Sequence, residues 1–169
     1  MLARLDADLA RTEPDPEIQD LMRLSAGLNL ALDYLPGSVT YDPLAMQPDA
    51  APASRIVWFD AFVTNLDRTP RNTNMLVWHG KLWLIDHGAA LYFHHQWDDA
   101  PARSQSPFAL IKDHVLLPFA TRLDDADAEM AALFTRERIA EVVAMIPEDW
   151  LGDEAAFAEE ARRAHAAHV

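Results

Sequence analysis

The spacing of apolar and polar positions changes several times along the chain, and each change marks an element. The first twenty-five residues mix charge with leucine at helical spacing and are broken at Glu13-Pro14-Asp15-Pro16, where two prolines force extended backbone. A helical stretch and then a helix over Glu17 to Leu24 are expected. From Leu28 the period falls to two, placing Leu28, Leu30, Leu32 and Tyr34 on one side of a strand that runs to Leu35 and stops at Pro36-Gly37. Residues 36–52 carry Pro36, Pro43, Pro48 and Pro52 with little periodicity, which reads as a surface connector. Arg55 to Thr64 is apolar nearly all round, so a buried central helix is expected, with Ser54 as its N-cap.

Met75 to Trp78 and Leu82 to Ile85 are short strand-like runs joined by His79-Gly80-Lys81, the signature of a β-hairpin whose second strand leads into Asp86-His87-Gly88. Helical spacing then returns over Pro107 to Ala120, Asp124 to Phe134, Thr135 to Ile146 and Asp153 to Ala167. Thr135 is the expected N-cap of the third of these, although Arg138 does not complete a capping box. The fold class is α+β, mostly helical.

Composition narrows the function. The 169 residues carry a formal charge of −13. Sequence-independent binding to nucleic acid, which draws on Lys and Arg releasing phosphate counterions, is therefore not expected. There is no cysteine, which removes disulfides, thiolate metal sites and thiol nucleophiles together. No apolar run approaches the roughly 20 residues of a membrane span, and Met1 to Thr12 lacks the apolar stretch of a signal peptide, so a cytoplasmic location is expected.

The densest chemistry is Asn65-Leu66-Asp67-Arg68-Thr69-Pro70-Arg71-Asn72-Thr73-Asn74, a polar loop between the apolar helix and the hairpin. Asp67 can take a proton or orient a nucleophile, and Asn72 or Asn74 can give an oxygen to Mg²⁺. Asn74 begins one hairpin strand and Asp86 ends its antiparallel partner, so both belong to the same end of the hairpin. Singly, each residue could be an ordinary turn former. In this order on these elements, they suggest a hard-metal site.

A helix, an Asp with an Asn shortly after it, and a hairpin ending in Asp86-His87-Gly88 resemble the catalytic and metal loops of protein kinases. The run through Ile85-Asp86-His87-Gly88-Ala89-Ala90-Leu91-Tyr92-Phe93 is closer to the HipA-like kinases and, more distantly, to the type II phosphatidylinositol 4-kinases. The resemblance implies ATP and Mg²⁺ as cofactors and phosphoryl transfer to a hydroxyl acceptor that the sequence does not identify. It implies Asp67, with Arg68, as the catalytic pair, and Asp86 as a metal ligand. The metal-binding amide is Asn72 by a spacing of Asp plus five, or Asn74 by its place directly before the strand; the strand favours Asn74. Asp33, Tyr34 and Leu35 take the place of the hinge that brackets adenine. The implied organisation is a remnant of the N-terminal lobe with the hinge strand over residues 1–35, a linker over 36–52 and a helical, protein-kinase-like C-terminal lobe over 53–169.

The twenty-seven residues before Leu28 contain neither a Gly-rich loop nor a lysine, and the only lysines are Lys81 and Lys112. A kinase truncated in its ATP-covering lobe is therefore expected, with self-association through Leu28, Leu30 and Leu32 or a partner chain filling the gap. An inactive pseudokinase acting as an interaction module is the alternative. A metal-dependent hydrolase built on Asp67, Asp86, His87 and either His94 or His95 is a further one, and Asp98-Asp99 lie near those histidines in sequence. Trp58, Phe62, Trp78 and Trp83 are expected in the core, and His165 and His168 in solvent.

Overall fold

The computed structural model describes residues 1–91 and 104–151. The expected helix Asp153 to Ala167, with His165 and His168, and the residues His94, His95, Asp98 and Asp99 lie outside the described residues. The chain divides into two compact units, Met1–Pro36 and Gly37–Val169.

In the first unit β1 (Leu2–Leu5) pairs antiparallel with β2 (Gly27–Leu30), with Leu2 opposite Leu30 and Leu5 opposite Gly27. A 3-10 segment (Ala7–Thr12) and α1 (Pro16–Leu24) fill the connection. The N-terminal stretch expected as helix thus starts as a strand, because pairing with β2 gives its backbone groups partners that so short an isolated stretch could not supply as a helix. Asp15 caps α1, its side chain accepting from the Glu17 N–H, and Pro16 sits in the first turn, where a missing N–H costs nothing. The strand expected to run to Leu35 stops at Leu30. Leu30, Leu32 and Tyr34 are exposed, whereas Leu35 is buried.

The second unit is built on a three-stranded antiparallel sheet in the order β3-β4-β5, with β3 at Val39–Thr40, β4 at Met75–Trp78 and β5 at Lys81–Leu84. Trp78 pairs with Lys81, so the hairpin loop is His79-Gly80 alone. Both residues have positive φ, 50° and 72°, as a two-residue type I′ turn requires. The stretch read as a surface connector contributes β3 and places Tyr41 in the core, its N–H donating to the Met75 carbonyl at 2.9 Å. Proline-rich composition signals irregular backbone, not exposure.

α2 (Ala50–Phe62) begins four residues before the expected N-cap. Pro52 stands in its first turn, where no intrahelical N–H is needed. Ser54 is therefore inside the helix and buried, its Oγ accepting from the Arg122 N–H of the segment leading into α3 (Leu123–Leu133) at 3.0 Å. α3 packs on α2 through Arg55 to Glu129 and the Trp58 Nε1–H to Asp127, and Phe134 joins Trp58, Phe59 and Phe62 in an aromatic cluster. Tyr41, Ala53, Val57, Met75, Val115, Leu116 and Ala120 form the buried centre.

The helix expected over Pro107 to Ala120 is instead two 3-10 segments, Ala109–Asp113 and Leu117–Phe119. The break has a tertiary cause. The Val115 N–H donates to the Arg68 carbonyl and the Leu116 N–H to His114 Nδ1, so neither is left for a helical ladder. α4 (Arg136–Ala144) does carry the expected Thr135 cap, Oγ1 accepting from the Arg138 N–H at 3.2 Å. Thr135→Ala is expected to destabilise the fold by about 1 kcal/mol, measurable by urea unfolding. Among the described residues no helix is long and apolar enough to cross a membrane.

Candidate functional site

The site begins at the C-terminal end of α2. Thr64 adopts φ 50°, its N–H bonds to the Ala61 carbonyl and the next N–H, of Asn65, bonds to the Asp60 carbonyl at 2.8 Å. This is a Schellman exit with a threonine where glycine is the usual residue, and a β-branched side chain there is strained. The exit turns Asn65 back on the helix, where its Nδ2 donates to Asp60 Oδ1 at 3.0 Å.

Asp60 is 0% exposed and is the hub of the buried polar groups. Its carboxylate accepts from Asn65, from Arg68 Nε at 2.5 Å and from His114 Nε2 at 2.8 Å. Because His114 Nδ1 accepts the Leu116 N–H, its proton sits on Nε2, and the ring donates to Asp60 as the neutral tautomer. Burial pushes the Asp60 pKa up, but the hydrogen bond from His114, the Arg68 charge and the remaining hydrogen bonds outweigh it, and the net shift is downward. Arg68, 1% exposed, also donates through Nη1 to the Asn74 carbonyl at 2.5 Å and lies 3.4 Å from His87 Nδ1 through Nη2. His87 is shifted toward neutrality, first by desolvation where its ring meets Phe59 and then by the Arg68 charge.

Arg68 faces inward and leaves Asp67, its neighbour, facing outward. The Asp67 N–H donates to Asn65 Oδ1, which joins the buried hub to the exposed loop. Asp67 Oδ1 accepts from Asn72 Nδ2 at 2.8 Å, and Oδ2 accepts from Asn74 Nδ2 at 3.0 Å. Both asparagines left open by the sequence therefore bear on the same carboxylate, and each keeps its amide oxygen for another ligand. Asn74 has φ 44° and its carbonyl accepts from the Ile85 N–H, which continues the hairpin register one step beyond Met75 opposite Leu84. Asp86 is next, exposed, at φ 49°. Asn and Asp are the non-glycine residues that best tolerate this left-handed region.

Two further bonds tie the Asp86 loop to the exit of α2: Leu66 N–H to the Ala89 carbonyl at 3.4 Å and Leu91 N–H to the Val63 carbonyl at 2.6 Å. Asp67, Asn72, Asn74 and Asp86 are thus gathered at one end of the hairpin. Asp33, Tyr34 and Leu35 lie in the first unit, where Asp33 Oδ1 accepts the Tyr34 N–H and Tyr34 is 82% exposed. Beside the asparagines the second unit has a cleft of about 630 Å³. Pro43, Met75, Leu76 and Ile85 line it with apolar surface, and Arg71, Asn72 and Asn74 line it with polar groups. Among the described residues no group of three or more His, Cys, Asp or Glu is arranged around a common point, and His94 and His95, which the hydrolase alternative needs, lie outside them.

Asp60 and His114 were not singled out from the sequence. The signal for Asp60 was a lone acid in the apolar run from Ile56 to Val63, since a buried carboxylate demands a partner and Arg68 follows it by eight positions. His114 carries no such local signal. The family model described as HipA-like kinase matches residues 4–167. Comparisons with curated proteins and with solved structures give no match.

Proposed function

The chain belongs to the HipA-like kinase family, and from that premise, joined to the geometry around Asp67, we propose that it binds MgATP and transfers its terminal phosphoryl group to a hydroxyl acceptor. The observation that carries the reading is Asp67, half-buried and held by amide donors on both carboxylate oxygens at the hairpin end that also bears Asp86. Each carboxylate oxygen has two acceptor sites, so Asp67 retains capacity to accept the proton of an incoming hydroxyl. In the transfer, the acceptor oxygen bonds to the terminal phosphorus, the bridging bond to ADP breaks, and the proton passes to Asp67.

The donors fit Mg²⁺. Asn74 and Asp86, with Asn72 as the alternative amide, offer only oxygen, and Mg²⁺ is held by one or two carboxylates together with phosphate oxygens. When bound, the cation would neutralise charge on the phosphates. The apolar lining at Met75, Leu76 and Ile85 suits a nucleobase, and the cleft volume falls within the range of small-molecule sites. Arg68 acts through others: it fixes the Asn74 carbonyl and, with Asp60, the loop that carries Asp67.

Isothermal titration of MgATP into the wild type and Asp86→Ala tests the reading. The wild type is expected to bind, and the variant to lose at least about tenfold in affinity while its thermal midpoint falls by only about 2–8 °C, the cost of alanine at φ 49° in an exposed position. Equal affinities would remove Asp86 from the site. No binding by the wild type would replace catalysis with an interaction role.

A further inference from the structure

The backbone on either side of Asp67 is held by hydrogen bonds that lead to the same two distant residues. On one side the Asp67 N–H donates to Asn65 Oδ1 at 3.2 Å, Asn65 Nδ2 donates to Asp60 Oδ1 at 3.0 Å, and Asp60 Oδ2 accepts from His114 Nε2 at 2.8 Å. On the other side the carbonyl of Arg68 accepts from the Val115 N–H at 2.9 Å. Asn65, Asp60, His114 and Val115 are all buried. The partners of the Asp67 carboxylate, Asn72 and Asn74, belong to the same loop, so they set its shape and not its place. What ties the loop to α2 and to the turn at His114 is the buried set of bonds.

His114 is engaged at both ring nitrogens. Nδ1 accepts the Leu116 N–H at 3.0 Å and fixes its own turn, while Nε2 reaches a carboxylate 54 positions earlier in the chain. The ring does not line the cleft. A buried imidazole with both nitrogens occupied has no site left for exchanging a proton with a ligand, and what remains to it is placement. Placement matters here, since a general base must come within hydrogen-bond reach of the proton it takes, and an error of about 1 Å can cost on the order of 10²-fold in rate.

We infer that His114 is a positioning residue for Asp67, acting through Asp60 and Asn65, with the Val115 N–H holding the following peptide. The inference rests on the MgATP reading above and deepens it: the part of the chain that sets the base lies outside the polar loop, in the turn that interrupts the two 3-10 segments. His114 touches neither nucleotide nor acceptor.

Two variants separate this role from simple stabilisation. His114→Asn keeps an acceptor for the Leu116 N–H at the same spacing, as an Asx turn does, and is too short to reach Asp60. His114→Gln is long enough to donate to Asp60. ADP release at saturating MgATP, with water as the acceptor, is measured well below each variant's Tm beside a MgATP titration. His114→Asn is expected to lose about tenfold or more in kcat with MgATP affinity within about threefold of wild type, and His114→Gln to recover most of that kcat. Asn65→Ala should lose kcat in the same way, and adding it to His114→Asn should cost little more, because both break one chain of bonds. Full kcat in folded His114→Asn, no recovery in His114→Gln, or additive losses in the double variant overturns the inference while the MgATP reading stands. If His114→Asn does not fold, Asn65→Ala decides: kcat lost with affinity kept supports the inference, and kcat retained overturns it. A wild type that neither binds MgATP nor releases ADP overturns both.

Discussion

Asp60→Asn is expected to lower the stability of the protein by about 3–5 kcal/mol, the usual effect of removing one partner from a buried ion pair. The substitution nearly preserves shape, so the loss is electrostatic: the Arg68 guanidinium, 1% exposed, would be left without its counter-charge. For a chain of this length the change corresponds to a fall of roughly 6–20 °C in Tm, readable by circular dichroism. A fall below about 1 kcal/mol would mean that the pair contributes no more than a surface ion pair. The acid limb supplies a second readout. The Asp60 pKa is depressed in the folded state, so its contribution is complete above the ordinary carboxylate range and is lost as pH falls through the lower folded value. Wild-type stability should therefore drop below about pH 4 more steeply than that of Asp60→Asn, which has no such group to titrate.

Asp67→Asn is expected to reduce Mg²⁺-dependent phosphoryl transfer by about 10²–10⁴-fold, the range of general-base contributions. The change keeps the side-chain volume and one of the two oxygens that accept from Asn72 and Asn74, and the position is only half-buried, so the fold is preserved. MgATP affinity should stay within about threefold of wild type, because in the proposed reaction the residue acts on the acceptor and not on the nucleotide. ADP release measured at saturating MgATP, beside a binding titration, separates the two. Undiminished transfer would place the base elsewhere, whereas parallel loss of transfer and binding would make Asp67 a ligand-holding group.

The two substitutions differ because the loop has a buried side, where Arg68 meets Asp60 of α2, and an exposed side, which carries Asp67. From the sequence Asp67 and Arg68 looked like one catalytic pair. Packing separates them: Arg68 goes under the loop to Asp60, and Asp67 stays on its surface. Likewise the competition between Asn72 and Asn74 was posed as a choice, yet both amides reach the same carboxylate. No linear spacing contains that result, since it depends on Thr69 and Asn72 closing the loop between them.

Local rules held where one segment's own chemistry decides its shape. The hairpin follows from two short apolar runs around His79-Gly80, and the Thr135 cap from one hydroxyl before a helical run. They failed where a distant partner competes for backbone groups. Pairing with β2 turned the N-terminal stretch into a strand, and the Arg68 carbonyl took the N–H that a helix through Val115 needed. The α+β class and the polar loop between an apolar helix and a hairpin were legible in the linear pattern, because each rests on a segment's own periodicity. Which charges are buried as scaffold and which reach the surface depended on packing, because desolvation acts on the three-dimensional surroundings of a group: Asp60 and Arg68 neutralise one another inside, whereas Asp67 is half-buried and Arg71 exposed.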